Sequence, residues 1–474
     1  MSDGRRDTLT PGGGWTLGTV MLGGVLVVLL TMGALWWLVP TLTRRMLRQL
    51  LTRPMSDTLA ELYLSVKSTP PADFLYSSLR SQSGQVVIRP MGSARPAHGF
   101  DDLALVPAQL ADTPLNETEP VDLTAVFGGR AKKPVHTAMP LYLSGMAYGL
   151  ALTQDARLAL AMASGRAGIP LNSGQGPFLA AERERCSTFV LQFGRWVWNR
   201  DPKILRQADM IEVQVGQGAM PGNAVVATPG EVGPDIKRLM GLGPSDPPTI
   251  HANLFLKTPG EPTPLKEVVQ FLRGETDGVP VALKMGAGQR LEADLDVCLE
   301  ADVDVIVIDG TEGATGNAPI TLSDHFGITS LQALVRAVAH LERRGRRRDV
   351  TLLLSGGFRE PGDFLKALAL GADGIGLATI AMFALAHRQI SDAIPFHPPT
   401  DLVFYRADPK IPLKRDQAAL SLTNFLESCR AEMVIALRTM GHRRIADLSP
   451  RDLCALDPEI ARLARVPYAG DPVG

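Results

Sequence analysis

Aromatic side chains are scarce, at 5% of the chain, and the net formal charge is only −1. A nucleic-acid-binding surface needs a basic face and rings for bases to stack on, so nucleic acid is not the expected partner. Cysteine is scarce as well: Cys186, Cys298, Cys429 and Cys454 lie far apart, with no CxxC pair. That spacing excludes a disulfide framework and a structural metal site, and the four are expected to be reduced, buried thiols. No His/Cys/Asp cluster has ligand spacing, so no bound metal is expected. Disorder is excluded by a 45% apolar composition with balanced charge. What abounds is glycine (46) and proline (36) in 474 residues, which suits an α/β protein with many tight loops. The length allows two or three ordinary domains, or one barrel-sized domain with appendages.

Charge is missing altogether from residues 16–39, a stretch rich in Val, Leu, Gly and Met. As a helix it is long enough to cross the roughly 30 Å hydrocarbon layer. Trp15, Trp36 and Trp37 sit where interfacial aromatics belong. A cleaved signal peptide would have a shorter apolar core and a small-residue cleavage site, which is lacking before Arg44. Arg44, Arg45, Arg48 and Arg53 follow the span, whereas Arg5 and Arg6 precede it beside Asp3 and Asp7. The excess of arginine after the span predicts a retained single-pass anchor with the main body in the cytoplasm.

Beyond the anchor, a juxtamembrane helix is expected at about residues 55–66, followed by a Pro/Gly-punctuated segment. From Met139 a repeat appears: a short apolar run, a glycine-rich polar loop, then a helical stretch. The runs are 141–146, 169–172, 189–193, 210–215, 279–285, 303–308, 350–354 and 374–377. Continuous apolar strands alternating with helices indicate a parallel sheet buried on both faces. Eight such units indicate a (β/α)8 TIM barrel rather than an open sheet. The connection between 215 and 279 is far longer than the others and holds a further apolar run, 249–254, expected to lie over the barrel mouth. The predicted organisation is therefore 1–43 tail and transmembrane helix, 44–135 juxtamembrane and pre-barrel segment, 136–385 barrel, and 386–474 a C-terminal helical tail packed outside the barrel.

In such a barrel the loops at the strand C-termini build the site. The seventh run ends in Ser355-Gly356-Gly357 ahead of a Pro361-led helix, and the eighth in Gly376-Leu377-Ala378-Thr379. Paired glycines expose backbone N–H groups, and a helix start adds partial positive charge, which together predict a phosphate cradle. After the sixth run, Asp309-Gly310-Thr311-Glu312-Gly313-Ala314-Thr315-Gly316-Asn317-Ala318-Pro319 is small and glycine-rich, so its backbone can approach a flat ligand closely.

This loop resembles the D-G-G-x-G-G-T-G-A-x-P stretch of the FMN-binding domain of glutamate synthases. Other stretches resemble that family in order. Ser144-Gly145-Met146-Ala147-Tyr148-Gly149 is similar to S-A-M-S-F/Y-G, and Asn172-Ser173-Gly174-Gln175-Gly176 to N-T-G-E-G-G. Gln192-Phe193-Gly194 is similar to the R-F-G region, Gln217-Gly218-Ala219-Met220-Pro221-Gly222 to Q-G-A-K-P-G, and Leu283-Lys284-Met285 to V-K-L. The resemblance spans roughly residues 125–385 and implies an FMN barrel in which reduced flavin passes a hydride to a 2-imino acid. Together with the phosphate cradle read at Ser355, Gly356, Gly357, Gly376, Ala378 and Thr379, it assigns Ser144, Ala147, Asn172, Gln192, Gln217, Lys284, Asp309, Gly310, Gly313 and Gly316 to FMN binding. Lys284, Gln217 and Gln175 are the candidate catalytic residues. Lys284 would set a cation beside N1 and O2 of the flavin ring, and Asp309 and Glu312 are expected to orient loops or the ribityl chain. Of the remaining histidines, His136, His251 and His325, the last is a secondary proton-donor candidate beside the glycine loop, and His251 in the long insertion is weighed alike.

Three departures from the family pattern stand out. No cysteine lies between Gly376 and Cys429, where the family's [3Fe-4S] cluster needs three, so no iron–sulfur cluster is expected. The family's Lys of Q-G-A-K-P-G is Met220 here and the Glu of G-E-G-G is Gln175. Loss of an ammonium removes a charge-assisted contact of roughly 1.5–3 kcal/mol to a carboxylate ligand. The glutaminase half has no counterpart, so an amine is expected from solution or a partner chain. These departures fit a short stand-alone form, such as the N-methylglutamate synthase type, in which one flavin oxidises an amino acid to its imine, the amine is exchanged and the reduced flavin returns the hydride; otherwise electrons come from a donor the sequence does not name. The alternative is an anchored, non-catalytic FMN-binding scaffold. The IMP dehydrogenase and GMP reductase group would require a cysteine in the loop at 309–319, and there is none.

Overall fold

The computed structural model describes residues 17–54, 61, 66–67, 70–89, 92–94, 99–218, 220–226, 232–313, 318–393, 398–405 and 411–472. The chain divides into two compact units, Met1–Val87 and Ile88–Gly474.

In the first unit a helix runs over Leu17–Thr52 and passes straight through Pro40. It extends well beyond the uncharged stretch, because the Leu- and Arg-rich sequence after Thr43 is itself a good helix former. From Gly24 its mean hydropathy reaches 2.1 and no part of that window is buried in protein. A second helix, Pro71–Ser83, stops at Gly84 in the left-handed conformation. Trp15 and most of the stretch expected to form a juxtamembrane helix at 55–66 lie outside the described residues.

The second unit is built on eight parallel strands closed into a barrel. These are β1 (Leu141–Leu143), β2 (Pro170–Asn172), β3 (Thr188–Gly194), β4 (Met210–Gln214), β5 (Val281–Gly286), β6 (Val305–Asp309), β7 (Thr351–Ser355) and β8 (Gly374–Leu377). Each lies inside or across one of the eight apolar runs. Alternation along the strands sorts their side chains. Val305 and Val307 of β6 point inward with Val190, Met210, Ala282 and Leu353, while Ile306 and Ile308 point outward into the layer under the helices. Burying each such side chain contributes about 1.5–3 kcal/mol.

The helices follow from equally local signals. Thr153 caps Gln154–Ala167, and Thr329 with Gln332 forms a capping box on Ser330–Arg343. The second helix buries Leu331, Leu334, Ala337 and Leu341, one stripe at helical spacing. At the N-terminal end of the strands the hairpin Ala125–Phe127/Val135–Thr137 closes the barrel with Phe127, whose ring fills the space that a Cβ on Gly374 would need. His136 is exposed on this hairpin, at the opposite end from the mouth, and so has no part in the site.

The β4-to-β5 excursion contains the helices Pro234–Leu239 and Leu265–Glu275 and a two-residue ladder of Thr249–Ile250 with Val225–Val226. It has an apolar centre of its own, in which Tyr148, Trp196, Trp198, Ile236, Met240 and Ile250 pack together. The helix Arg415–Met440 buries Leu422, Leu426, Cys429, Met433 and Leu437 and packs on the helices Gln154–Ala167 and Thr379–Ala386, outside the barrel. All four cysteines are free thiols. Burial pushes Cys186 up to about 11 and Cys429 to about 12, so neither is a reactive thiolate near neutrality.

Candidate functional site

At the strand C-termini a cavity of about 530 Å³ opens among the β1, β4, β6, β7 and β8 loops. That is the size of a small-molecule or cofactor pocket. Its lining includes Ser144, Gln217, Lys284, Asp309, Gly313, Ser355, Gly356, Gly357, Gly376, Ala378 and Thr379. Eleven of the residues assigned to cofactor binding on sequence grounds therefore meet in one hollow.

The floor is polar because inward positions near the mouth carry polar side chains, whereas those deeper in the barrel are apolar. Lys284 projects from β5, and its Nζ lies 3.6 Å from Asp309 Oδ2. At that distance the pair attract but form no close hydrogen bond, so the ammonium keeps donors for a ligand. Asp309 is itself a junction: it accepts from the Gly218 backbone N–H at 3.1 Å and from Ser355 Oγ at 2.9 Å. It thereby ties the β4 loop to the ends of β6 and β7. Gln217 enters the cavity on a tight turn in which Met220 N donates to Gln217 O at 3.1 Å.

The other end is a backbone cradle. Gly356 has φ +109 and Gly357 φ +84, conformations that side chains rarely adopt. A Cβ on Gly356 would fall 2.7 Å from Ser330 Oγ and 2.9 Å from Gly310 N. Gly376 is needed because a Cβ there would lie 2.7 Å from the Tyr142 hydroxyl. Ala378 and Thr379 open the helix Thr379–Ala386, and among the described residues no side chain caps its first turn. Uncapped N–H groups and two left-handed glycines thus line the same end of the cavity.

Glu312 also lines the cavity and accepts from Ser330 N at 2.9 Å and from Ser330 Oγ at 3.1 Å. Burial, to which the charge of Asp309 adds, holds its carboxyl above the usual range despite these bonds. It therefore braces the β6 loop.

The remaining candidates are placed differently. Asn172 and Gln192 are buried behind Gly145, whose Cβ position is 3.0 Å from Asn172 Oδ1 and 2.9 Å from Gln192 Nε2. They back the wall and do not line it, because the β1 loop lies over them. Ala147 sits in a turn whose carbonyl accepts from the N–H groups of Ala151 and Leu152. Gln175 lies outside the lining, and its backbone carbonyl accepts from Trp198 Nε1 at 2.7 Å. Gly310 is packed under the helix start at Ser330, and Gly316 lies outside the described residues. His251 packs edge-on against Phe255 in the excursion, and His325 ends the helix Ile320–His325 with an exposed side chain.

Several contributors escaped sequence reasoning. Glu212 and Gln214 point into the barrel from β4, where the alternation Met210, Glu212, Gln214 is the signal that marked them. Glu212 accepts from Gln192 Nε2 at 2.7 Å. Burial and then the charge of Glu212 push the Tyr142 phenol well up, so it stays protonated. Phe100 and Asp101, far from the barrel strands in sequence, line the cavity from the pre-barrel segment. Arg195 donates to the carbonyls of Gly222 at 2.8 Å, His251 at 3.0 Å and Asn223 at 3.1 Å, fastening the β4 loop to the excursion. Arg200 lies over Phe193 and Phe255, and burial lowers it to about 10.

Fold and site together define a parallel α/β barrel with a cavity at the C-terminal ends of its strands. The chain belongs to the glutamate synthase family: the model of the conserved region in glutamate synthase matches residues 107–443. It is 31% identical to a glutamate synthase large subunit-like protein of Rhizobium meliloti over 85% of this chain and 95% of that one. It is 28% identical to an archaeal-type glutamate synthase [NADPH] of Dehalococcoides mccartyi, over 65% of this chain and 64% of the relative. Among solved structures, the monotopic membrane protein (S)-mandelate dehydrogenase aligns with a TM-score of 0.49 at 17% identity, over 76% of this chain and 92% of that one. Family membership places the chain among oxidoreductases.

Proposed function

We propose that the chain is an FMN-dependent oxidoreductase acting on the carbon–nitrogen bond of an amino or imino acid, held to the membrane by its N-terminal helix with the barrel on the cytoplasmic side. The observation that carries this reading is the joining of Lys284 and Gln217 to the Gly356-Gly357 and Ala378-Thr379 backbone cradle in one cavity. The residues fit the cofactor. The cradle suits a terminal phosphate, and Lys284 retains donors for a ring that gains negative charge on reduction. Ser144 Oγ, in the lining, is buried, and among the described residues its geometry gives it no hydrogen-bond partner, so it suits a polar cofactor atom.

FMN, when bound, would supply the hydride chemistry. The protein's part is to hold and polarise. Lys284 offers positive charge, Asp309 and Ser355 fix the loops around it, and Gln217 offers an amide to ring or substrate. Met220 puts no ammonium at the position of the family's Lys, so a dicarboxylate such as glutamate is expected to be held weakly there.

The full chain purified in detergent should carry one noncovalent FMN, and glutamate supplied with a panel of amines should yield N-substituted products by mass spectrometry. A colourless protein that takes up no FMN on titration refutes the cofactor. A yellow protein that turns over no amine, amino acid or NAD(P)H supports a scaffold instead.

A further inference from the structure

The barrel has one thin seam. Neighbouring strands elsewhere are held by three to five registered pairs, but β1 meets β2 only where Leu143 lies opposite Leu171. This seam lies directly beneath the Ser144-Gly145 wall of the cavity. The loops that continue it run backbone against backbone: a Cβ on Gly174 would fall 2.7 Å from the Met146 and Ala147 nitrogens, and one on Gly176 2.5 Å from Tyr148 N. No side chain fits between them, so neither loop can brace the other through side-chain packing.

Arg157 lies under this gap. It stands near the start of the helix Gln154–Ala167 with no exposed surface. Helical side chains lean toward the helix N-terminus, which aims this one at the strand ends. Its Nη1 donates to the Met146 carbonyl at 2.6 Å, and its Nη2 to the Asn172 carbonyl at 2.9 Å. Two further donors reach the carboxylate of buried Glu182, with Nε 3.3 Å from Oε2 and Nη2 on the other oxygen. A guanidinium is a rigid planar fork, so carbonyls bound to its two ends are held at fixed separation.

We propose that Arg157 and Glu182 form a positioning pair that closes the β1–β2 seam and fixes the Ser144-Gly145 wall for the cofactor. Glu182 fixes the guanidinium plane, and the guanidinium does what the missing ladder bonds would do. The bearing on cofactor affinity rests on the FMN reading above; the bearing on loop order does not.

The test uses the full chain in detergent and compares wild type with an Arg157→Met/Glu182→Leu double variant, which swaps a buried ion pair for apolar groups and often preserves stability. Amide hydrogen exchange should rise at least tenfold within 144–149 and 173–176 while the rest of the barrel keeps its protection. The FMN dissociation constant should rise at least tenfold. Arg157→Lys keeps the charge but lacks the fork, and it should move both readouts the same way by a smaller factor; it decides the matter if the double variant does not fold. Unchanged exchange in those two loops, or an increase spread evenly over the barrel, overturns the proposal. If wild type takes up no FMN, the cofactor reading fails, and the exchange pattern still judges the pair.

Discussion

Two glycines with left-handed backbones separate the strain of such a residue from its role at the site. Gly345 has φ +66 and nothing within 4 Å of its Cβ position, whereas Gly356 has φ +109 and lies against Ser330 and Gly310. At Gly345, alanine meets only the backbone cost of the left-handed region, about 1 kcal/mol. At Gly356 the backbone cost is about 1–3 kcal/mol. The new methyl also lands 2.9 Å from Gly310 N and 3.1 Å from Gly310 O, which are backbone atoms and cannot rotate away. The β7 loop must then move by several tenths of an ångström or the barrel must carry the strain. We expect Gly356→Ala to lose about 3 kcal/mol in urea unfolding and at least tenfold in FMN affinity, a further change of about 1.4 kcal/mol in binding. Gly345→Ala should lose about 1 kcal/mol and leave FMN affinity within twofold. If Gly356→Ala binds FMN as wild type does, these glycines are turn residues and the cradle is not where the phosphate sits.

Two other perturbations address the scaffold. Arg336 grips Glu292 through Nε at 2.9 Å and Nη2 at 2.5 Å and, as the largest influence, lowers its pKa from 4.5 to about 2. The folded state thus holds this proton less tightly than the unfolded chain. The resulting stability is complete above about pH 4.5 and is lost as pH falls toward 2; after solvent screening it is about 1 kcal/mol. Glu292→Gln should flatten that limb of the acid-unfolding curve, and an unchanged limb refutes the assignment. Phe127→Ala should cost about 3–5 kcal/mol by emptying the barrel floor while leaving FMN affinity alone, since the hairpin closes the end away from the cavity; a loss under 1 kcal/mol in denaturant unfolding would contradict the plug.

The strands were legible because a strand buried on both faces leaves an uninterrupted apolar run, and Val305–Asp309 or Thr351–Ser355 can hardly be read otherwise. The cradle was legible for a different reason. Only glycine tolerates the backbone at 356 and 357, so the residue type records the conformation directly. The tail was legible as helix from its spacing of Leu422, Leu426, Cys429, Met433 and Leu437. The end of the N-terminal apolar helix was less legible, since charge alone does not stop a helix and Arg44, Arg45 and Arg48 continue it.

What stayed hidden is held in pairings across the chain rather than in any segment. Arg157 reads as one more polar residue in a helix otherwise rich in Leu and Ala. Its burial arises only when that helix docks on the β1–β2 seam, and its partner carboxylate is 25 residues away. Glu212 sits in a run that scans as apolar, although period-two alternation placed it inward, beside Gln192. Asn172 and Gln192 show the converse. Their motifs pointed to the cofactor, yet Gly145 lies between them and the cavity, because a glycine there lets the β1 loop settle onto both amides. Sequence patterns thus named the residues around the hollow, but which of them touch a ligand and which hold the wall is set by a loop packing that only the closed barrel determines.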